Sequence, residues 1–136
     1  MIIFDSTFLI DLMKSPNNSK HETCYSLLDE IQKTGEPYAT TFVNVLEMNK
    51  GVYKSNDKKK TKRNLDEILN IIPVLDFNND YYEQYGYLSA FLERKGTPIG
   101  KFDELIAAIA LYHGAQVVTN NISDFSRVPN LEIISH

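Results

Sequence analysis

The chain has few of the residues that build disulfide frameworks and zinc sites. Its 136 residues include one cysteine, Cys24, and three histidines. A single cysteine cannot form an internal disulfide, and this fits a reducing cytoplasm best. The cysteine and the histidines are too few and too scattered along the sequence to suggest a zinc site. The composition therefore argues against a disulfide-rich secreted protein.

Long apolar runs are also missing. No segment approaches the roughly 20 apolar residues that a membrane helix needs. The first 13 residues, MIIFDSTFLIDLM, contain no basic residue, and two aspartates interrupt their apolar pattern. This segment is predicted to be a first strand and helix rather than a signal peptide. We therefore expect no membrane association.

Positive charge is scarce overall but concentrated in one place. The net charge is −4, with 14 basic and 18 acidic residues. Five of the basic residues form what we call the basic patch: Lys58, Lys59, Lys60, Lys62 and Arg63. A run of this kind is either the solvated face of a helix or a contact for nucleic acid.

Hydrophobic periodicity alternates between strand and helix along the chain. Short β-branched or apolar runs predict strands at residues 2–4, 37–41, 71–77, 116–119 and 131–134. Helical spacing predicts helices between the first four of these strands. This alternation indicates one α/β domain over residues 1–136, with a central parallel sheet of about five strands flanked by helices. Ligands of such sheets bind at the carboxyl ends of the strands.

Three carboxylates stand in apolar surroundings. Asp103 begins an almost wholly apolar helix, Asp5 directly follows the first strand, and Glu47 lies inside another helix. Simpler roles are available for each of them. Asp5 and Asp103 are well placed to cap the helices that follow, and Glu47 is spaced to pair with Lys50 or Lys54.

Two further acids are expected to have lesser roles. Asp11 is predicted to face solvent or an arginine, and Glu104 to be a helix cap or to support the neighbouring Asp103.

The three carboxylates are far apart in sequence and can meet only through the fold. If they meet, their mutual repulsion is costly without a cation. Ligand sets made only of oxygen suit a hard divalent ion such as Mg²⁺ or Mn²⁺. Such an ion binds phosphates and activates water, which is the chemistry of phosphodiester hydrolysis.

At these residues the chain resembles a PIN domain, and specifically the VapC group of toxin ribonucleases from type II toxin–antitoxin pairs. Four segments carry the resemblance, in order, over nearly the whole chain. They are Ile2 to Thr7; Ala39 to Thr41 with Val45 to Glu47 and Gly51; Ile99 and Gly100 with Asp103 and Ile106 to Ala108; and Thr119 to Asn121 with Asp124, Phe125, Val128 and Pro129.

The resemblance implies a metal-dependent endoribonuclease. Asp5 and Asp103 are then the direct Mg²⁺ ligands, and Glu47 binds a second ion or a water on the metal. Asn121 stands where many relatives carry a fourth acid. An amide keeps a carbonyl ligand but loses the charge, and Asp124 is the residue expected to compensate.

The same resemblance extends to substrate and partners. Ser6 and Thr119 would position water or a phosphate oxygen, and Lys101 would join the basic patch in attracting the RNA backbone. Cleavage would release the ribose 3′ oxygen and leave a 5′ phosphate. A small VapB-like antitoxin and a homodimer of the toxin are also implied.

Two alternatives remain open at this stage. An inactive PIN module would only bind partners as a scaffold. A phosphatase or receiver-like domain with an acidic pocket would also begin with an acid after the first strand. However, Thr7 occupies the position where an aspartyl phosphatase needs its second acid.

Overall fold

A computed structural model describes all residues from Met1 to His136. Five strands alternate with seven helices. The strands are β1 (Ile2–Phe4), β2 (Tyr38–Thr41), β3 (Val74–Leu75), β4 (Gln116–Val118) and β5 (Ile133–Ile134). The helices are α1 (Ser6–Leu12), α2 (Ser19–Thr34), α3 (Phe42–Lys54), α4 (Lys58–Ile71), α5 (Tyr81–Arg94), α6 (Lys101–His113) and α7 (Ile122–Phe125). None of these helices has the length and apolarity needed to cross a bilayer.

All five strands form one parallel sheet in the order β3-β2-β1-β4-β5. The chain builds outward from β1 through β2 to β3, then returns to the other side of β1 for β4 and β5. This confirms the predicted parallel sheet flanked by helices. The strand preceded by Pro73 is at the edge, where a proline costs no ladder hydrogen bond.

The core consists of two hydrophobic clusters, because successive side chains of a strand point to opposite faces of the sheet. Ile3 and Val117 belong to the cluster that includes residues of α5 and α6. Ile2, Phe4 and Val118 belong to the cluster that includes residues of α1, α2, α3 and α4. Both faces of the central strands are therefore buried, as a parallel sheet requires.

The elements differ from the predicted ones mainly at their ends. The strands predicted at residues 71–77 and 131–134 each contain only two residues. Helix α4 begins at Lys58, because the Asp57 side chain accepts a 3.1 Å hydrogen bond from the Lys60 backbone N–H and caps it. The basic patch is thus helical throughout. The short helix α7 was not predicted.

Candidate active site

Asp5 follows β1 and is almost fully buried. Its Oδ1 accepts hydrogen bonds from the Thr7 hydroxyl (2.7 Å), the Thr7 backbone N–H (3.0 Å) and the Phe8 backbone N–H (3.3 Å). Asp5 therefore does cap α1, as the simpler interpretation predicted. Burial raises the pKa of Asp5, although the hydrogen bonds from Thr119, Thr7 and Phe8 oppose the shift.

The other oxygen of Asp5 points to the neighbouring strand. Thr119, which directly follows β4, donates a 2.6 Å hydrogen bond from its hydroxyl to Asp5 Oδ2. The backbone N–H of Asn121 donates in turn to Thr119 Oγ1 at 2.9 Å. Strands β1 and β4 flank the point at which the strand order reverses, and ligands of open α/β sheets bind at that point.

A chain of two hydrogen bonds, which does not involve Thr119, orients Glu47. The Ser6 hydroxyl donates to Glu47 Oε1 at 2.8 Å, and Asn44 Nδ2 donates to Ser6 Oγ at 3.0 Å. Glu47 forms no ion pair, so the predicted pairing with Lys50 or Lys54 is wrong. Ser6 was expected to position water or a phosphate oxygen, and here its hydroxyl holds the carboxylate of Glu47.

Asn44 was not identified from the sequence. It is fully buried, and its Oδ1 accepts a 2.7 Å hydrogen bond from the hydroxyl of Thr41, the residue that caps α3. The pair forms a reciprocal capping box. The sequence pattern that could have identified Asn44 is a threonine at a strand end followed three residues later by an asparagine.

Asp103 is the third residue of α6 and does not cap that helix. The N-cap position is Gly100, and no side chain caps there. The capping interpretation is therefore wrong for this acid. The pKa of Asp103 is raised to about 6, first by burial and then by the negative charges of Glu47, Asp5 and Asp124. Four carboxylates thus act on one region, at the carboxyl end of β1.

Asn121 separates two of these acids. Its Nδ2 donates to Asp103 Oδ2 at 3.0 Å and to Asp124 Oδ2 at 3.1 Å. The amide therefore presents its NH₂ group to the acids, and not the carbonyl ligand that we expected. A neutral donor here offsets part of the repulsion between Asp103 and Asp124.

The donor set fits a hard divalent ion. Asp5, Glu47 and Asp103 offer only oxygen atoms, and their proximity raises the pKa of Asp103, which a cation would reverse. Their oxygens do not form a set of three within 4.8 Å of one another. This wider spacing suits Mg²⁺, which keeps several of its waters and uses only one or two carboxylates directly.

Two other acids are buried outside this group. Asp11 was expected to face solvent or an arginine, but it is buried and pairs with Lys14 at 2.7 Å. Glu104 is also buried, and its Oε1 accepts a 2.7 Å hydrogen bond from the Ser89 hydroxyl. Glu104 thus ties α6 to α5 and caps neither helix.

The basic patch lies apart from the acids. Its Lys58, Lys59, Lys62 and Arg63 line a groove of about 510 Å³ between α3 and α4, which none of the candidate site acids lines. Lys62 pairs with Asp66 in this groove at 2.9 Å. Lys101 is exposed at the start of α6, two residues before Asp103. Lys101 is therefore close to Asp103 at the start of one helix, whereas the residues of the basic patch line a groove that the acids do not.

The chain is similar to known proteins over most of its length. The PIN domain family profile matches residues 2–131. Ribonuclease VapC2 of Rickettsia felis is 36% identical over 113 residues, covering 83% of this chain and 84% of that protein. The tRNA(fMet)-specific endonuclease VapC of Salmonella typhimurium is 33% identical over 91 residues, covering 67% of this chain and 69% of that one.

Solved structures agree with these sequence matches. A chain in the crystal structure of VapBC2 from Rickettsia felis, bound to a DNA fragment from its promoter, superposes with a TM-score of 0.90 and 32% identity. The match covers 100% of this chain and 99% of the other. A chain of DNA-bound VapBC from Salmonella typhimurium superposes with a TM-score of 0.85 and 26% identity, over 98% of this chain and 96% of the other.

Proposed function

The chain belongs to the PIN domain family, and from this premise we propose that it is a metal-dependent endoribonuclease and the toxin of a type II toxin–antitoxin pair. All of residues 1–136 would form one domain. The observation that carries the proposal is the convergence of Asp5, Glu47 and Asp103 at the carboxyl end of β1, where hydrogen bonds from Thr119, Ser6 and Asn121 hold these acids. Carboxylates that meet at the switch point of a parallel sheet are suited to bind a cation.

Asp5 and Asp103 are the residues that would hold the ion, which we propose to be Mg²⁺ or Mn²⁺. A divalent ion bound there would activate water and neutralise charge on the RNA phosphate. The chain orients Asp5 through Thr119 and Thr7, and it orients Glu47 through Ser6. These contacts fix the carboxylates before substrate arrives.

Glu47 is suited to a second duty. Its Oε1 accepts the Ser6 hydroxyl, whereas its Oε2 accepts no hydrogen bond from the protein. Oε2 is therefore free to accept a proton or a hydrogen bond from the attacking water. In-line attack would release the ribose 3′ oxygen, so the product fragment would carry a 5′ phosphate.

The partners follow from the relatives. The matched chains in the Rickettsia felis and Salmonella typhimurium structures belong to VapBC complexes. We propose that this chain likewise binds a VapB-like antitoxin, forms a homodimer and acts in the cytoplasm. Its substrate would be RNA, as the names of its relatives state for them.

The test is RNA cleavage by protein purified without antitoxin. Wild type should cleave RNA with Mg²⁺ or Mn²⁺ and lose activity in EDTA. Asp103→Asn keeps the size of the side chain and removes its charge, so cleavage should fall by on the order of 100-fold or more.

The matched control is Asp29→Asn, which neutralises an exposed acid that pairs with Lys33 on α2. It should cleave like wild type. Equal cleavage by Asp103→Asn, or cleavage unaffected by EDTA, would contradict the mechanism. An inactive protein that still binds antitoxin would instead support the scaffold alternative.

A further inference from the structure

A second group of metal-ligating side chains lies outside the carboxylate site. Asp11 on α1, Cys24 on α2 and His136 beyond β5 each offer one ligand atom, and these atoms all lie within 4.8 Å of one another. No other three Asp, Glu, His or Cys side chains meet this condition. Cys24 and His136 are 112 residues apart, so their meeting was invisible along the sequence.

Two of the three distances between the ligand atoms are close to those of a tetrahedral site. Cys24 Sγ lies 3.4 Å from His136 Nδ1, and that nitrogen lies 3.5 Å from Asp11 Oδ2. A tetrahedral zinc ion with ordinary bond lengths separates its sulfur and nitrogen ligands by ~3.6 Å, and its nitrogen and oxygen ligands by ~3.3 Å. Around His136 Nδ1, the two measured distances therefore differ from those of a zinc site by only a few tenths of an ångström.

The hydrogen bonds of His136 leave the correct nitrogen free. Thr7 Oγ1 gives its proton to Asp5 Oδ1 at 2.7 Å, so at 3.2 Å from His136 Nε2 it can only accept. The proton of neutral His136 is then on Nε2, and Nδ1 presents a lone pair to the cluster. Burial lowers the pKa of His136, which favours this neutral form. Metal-bound histidines are commonly oriented by such a hydrogen bond from the other nitrogen.

The immediate surroundings of Nδ1 contain no strong donor. The side chain of His136 is 1% exposed, and Nδ1 faces only the weak S–H donor of Cys24 and an acceptor oxygen of Asp11. Asp11 is fixed by other contacts, because Lys14 pairs with its Oδ1 at 2.7 Å and Asn120 Nδ2 donates to its Oδ2 at 3.2 Å. A buried lone pair thus points at two preorganised ligand atoms.

Space and charge also permit an ion. A cavity of about 160 Å³ reaches the cluster and is lined by Asp11, Ser19, Lys20, Thr23, Asn120 and His136. It provides an entry path and room for a water as the fourth ligand. A divalent ion bound to one thiolate and one carboxylate is electrically neutral, so its burial is inexpensive.

We propose that Asp11, Cys24 and His136 form a structural site for one zinc-class ion, which fastens the segment after β5 to α1 and α2. The mixed sulfur, nitrogen and oxygen ligands select Zn²⁺ over Mg²⁺, because Mg²⁺ does not favour thiolate. The site is distinct from the carboxylate site in ligands and in metal preference.

Binding transfers one proton. The S–H bond of Cys24 breaks, a bond between sulfur and the metal forms, and the proton passes to solvent. Burial and the charge of Asp11 raise the pKa of the metal-free thiol to about 11. Metal affinity should therefore increase with pH, by about tenfold per pH unit for a single released proton.

The test is a cobalt titration of the full chain, stripped of metal and of any polyhistidine tag. In wild type, the thiolate-to-cobalt charge-transfer band and the visible bands of a tetrahedral site should saturate at one Co²⁺ per chain, and one equivalent of Zn²⁺ should abolish both. Cys24→Ser preserves size and should lose the charge-transfer band. His136→Gln should weaken binding by at least ~100-fold.

The control separates this site from the proposed active site. Asp103→Asn should bind Co²⁺ with the same charge-transfer band as wild type, even if RNA cleavage is lost. Absence of the band in wild type, or an equal band in Cys24→Ser, would overturn the proposal and leave only a hydrogen-bonded cluster. Circular dichroism of each variant verifies that it is folded.

Discussion

The hydroxyl of Thr119 donates a 2.6 Å hydrogen bond to Asp5 Oδ2, and so joins the two strands between which the chain reverses its direction across the sheet. Thr119 and Asp5 are 114 residues apart. The bond is buried, and it holds one oxygen of the acid while the turn of α1 holds the other. The carboxylate is consequently fixed from both sides.

Removal of this bond should weaken metal binding. Thr119→Val keeps the shape of the side chain and leaves Asp5 Oδ2 without its donor, which should cost about 1.5–3 kcal/mol of the free energy of unfolding. It should also raise the Mg²⁺ or Mn²⁺ concentration needed for half-maximal RNA cleavage, by on the order of 10-fold. Metal titrations of cleavage and urea unfolding in EDTA measure the two effects.

The matched control for this change is Thr40→Val. Thr40 is also buried near a strand end, but its hydroxyl donates to the backbone carbonyl of Phe4 at 2.7 Å. It should lose about 1 kcal/mol of stability without a change in the metal midpoint. If both variants shift the midpoint equally, Thr119 acts only through general stability.

Titration of Asp103 should lower the stability of the metal-free protein as pH rises from about 4 to 6. Asp103 has a folded pKa of about 6, whereas an unfolded aspartate titrates near ~3.9. The folded state binds more protons in that interval, so raising the pH favours unfolding. The raised pKa of Asp5 acts in the same direction. Urea unfolding in EDTA across this range measures the loss.

Asp103→Asn should remove the part of this pH-dependent loss of stability that titration of Asp103 causes. In EDTA at pH 7 the variant should be more stable than wild type, by on the order of 1 kcal/mol once solvent screening of this partly exposed group is allowed for. The difference should shrink as the pH falls toward 4 and vanish well below it, where the aspartate is protonated in both states. A difference that does not change with pH would rule out titration of Asp103 as the cause.

Asn121→Asp tests the missing fourth acid. The substitution replaces an NH₂ donor by a charge beside Asp103 and Asp124. Without metal the thermal midpoint should fall, because three carboxylates then repel one another. Mn²⁺ should raise the midpoint more in this variant than in wild type. In Asn121→Ala, which loses the donor without gaining a charge, Mn²⁺ should give no such additional stabilisation.

The basic patch should contribute affinity for RNA without contributing to the chemistry. Replacing Lys58, Lys59 and Lys60 by Gln should weaken RNA binding and reduce its dependence on salt. The matched control replaces three exposed lysines elsewhere, Lys20, Lys33 and Lys95, by Gln. Both triple variants therefore have the same net charge. Equal affinity in both triple variants, measured by fluorescence anisotropy, would make the patch a solvated helix face.

The alternation of strand and helix was readable from local sequence because period 2 and period 3.6 are properties of neighbouring residues. For the same reason the acids after β1 and at the start of α6 stood out from their apolar surroundings. Element ends were less predictable. The strand predicted at residues 71–77 contains only Val74 and Leu75, since pairing with β2 alone limits its length.

The sequence by itself determined the parallel α/β class and the resemblance to PIN domains, and it singled out the acids that stand in apolar surroundings. Only the tertiary structure decided which side chains meet them. Asn44 reaches Ser6 across 38 residues, and Asn121 turns its NH₂ group toward Asp103. It also decided that Cys24 and His136 lie side by side. Contacts of this kind depend on how the helices pack on the sheet, and no periodicity of neighbouring residues records that packing.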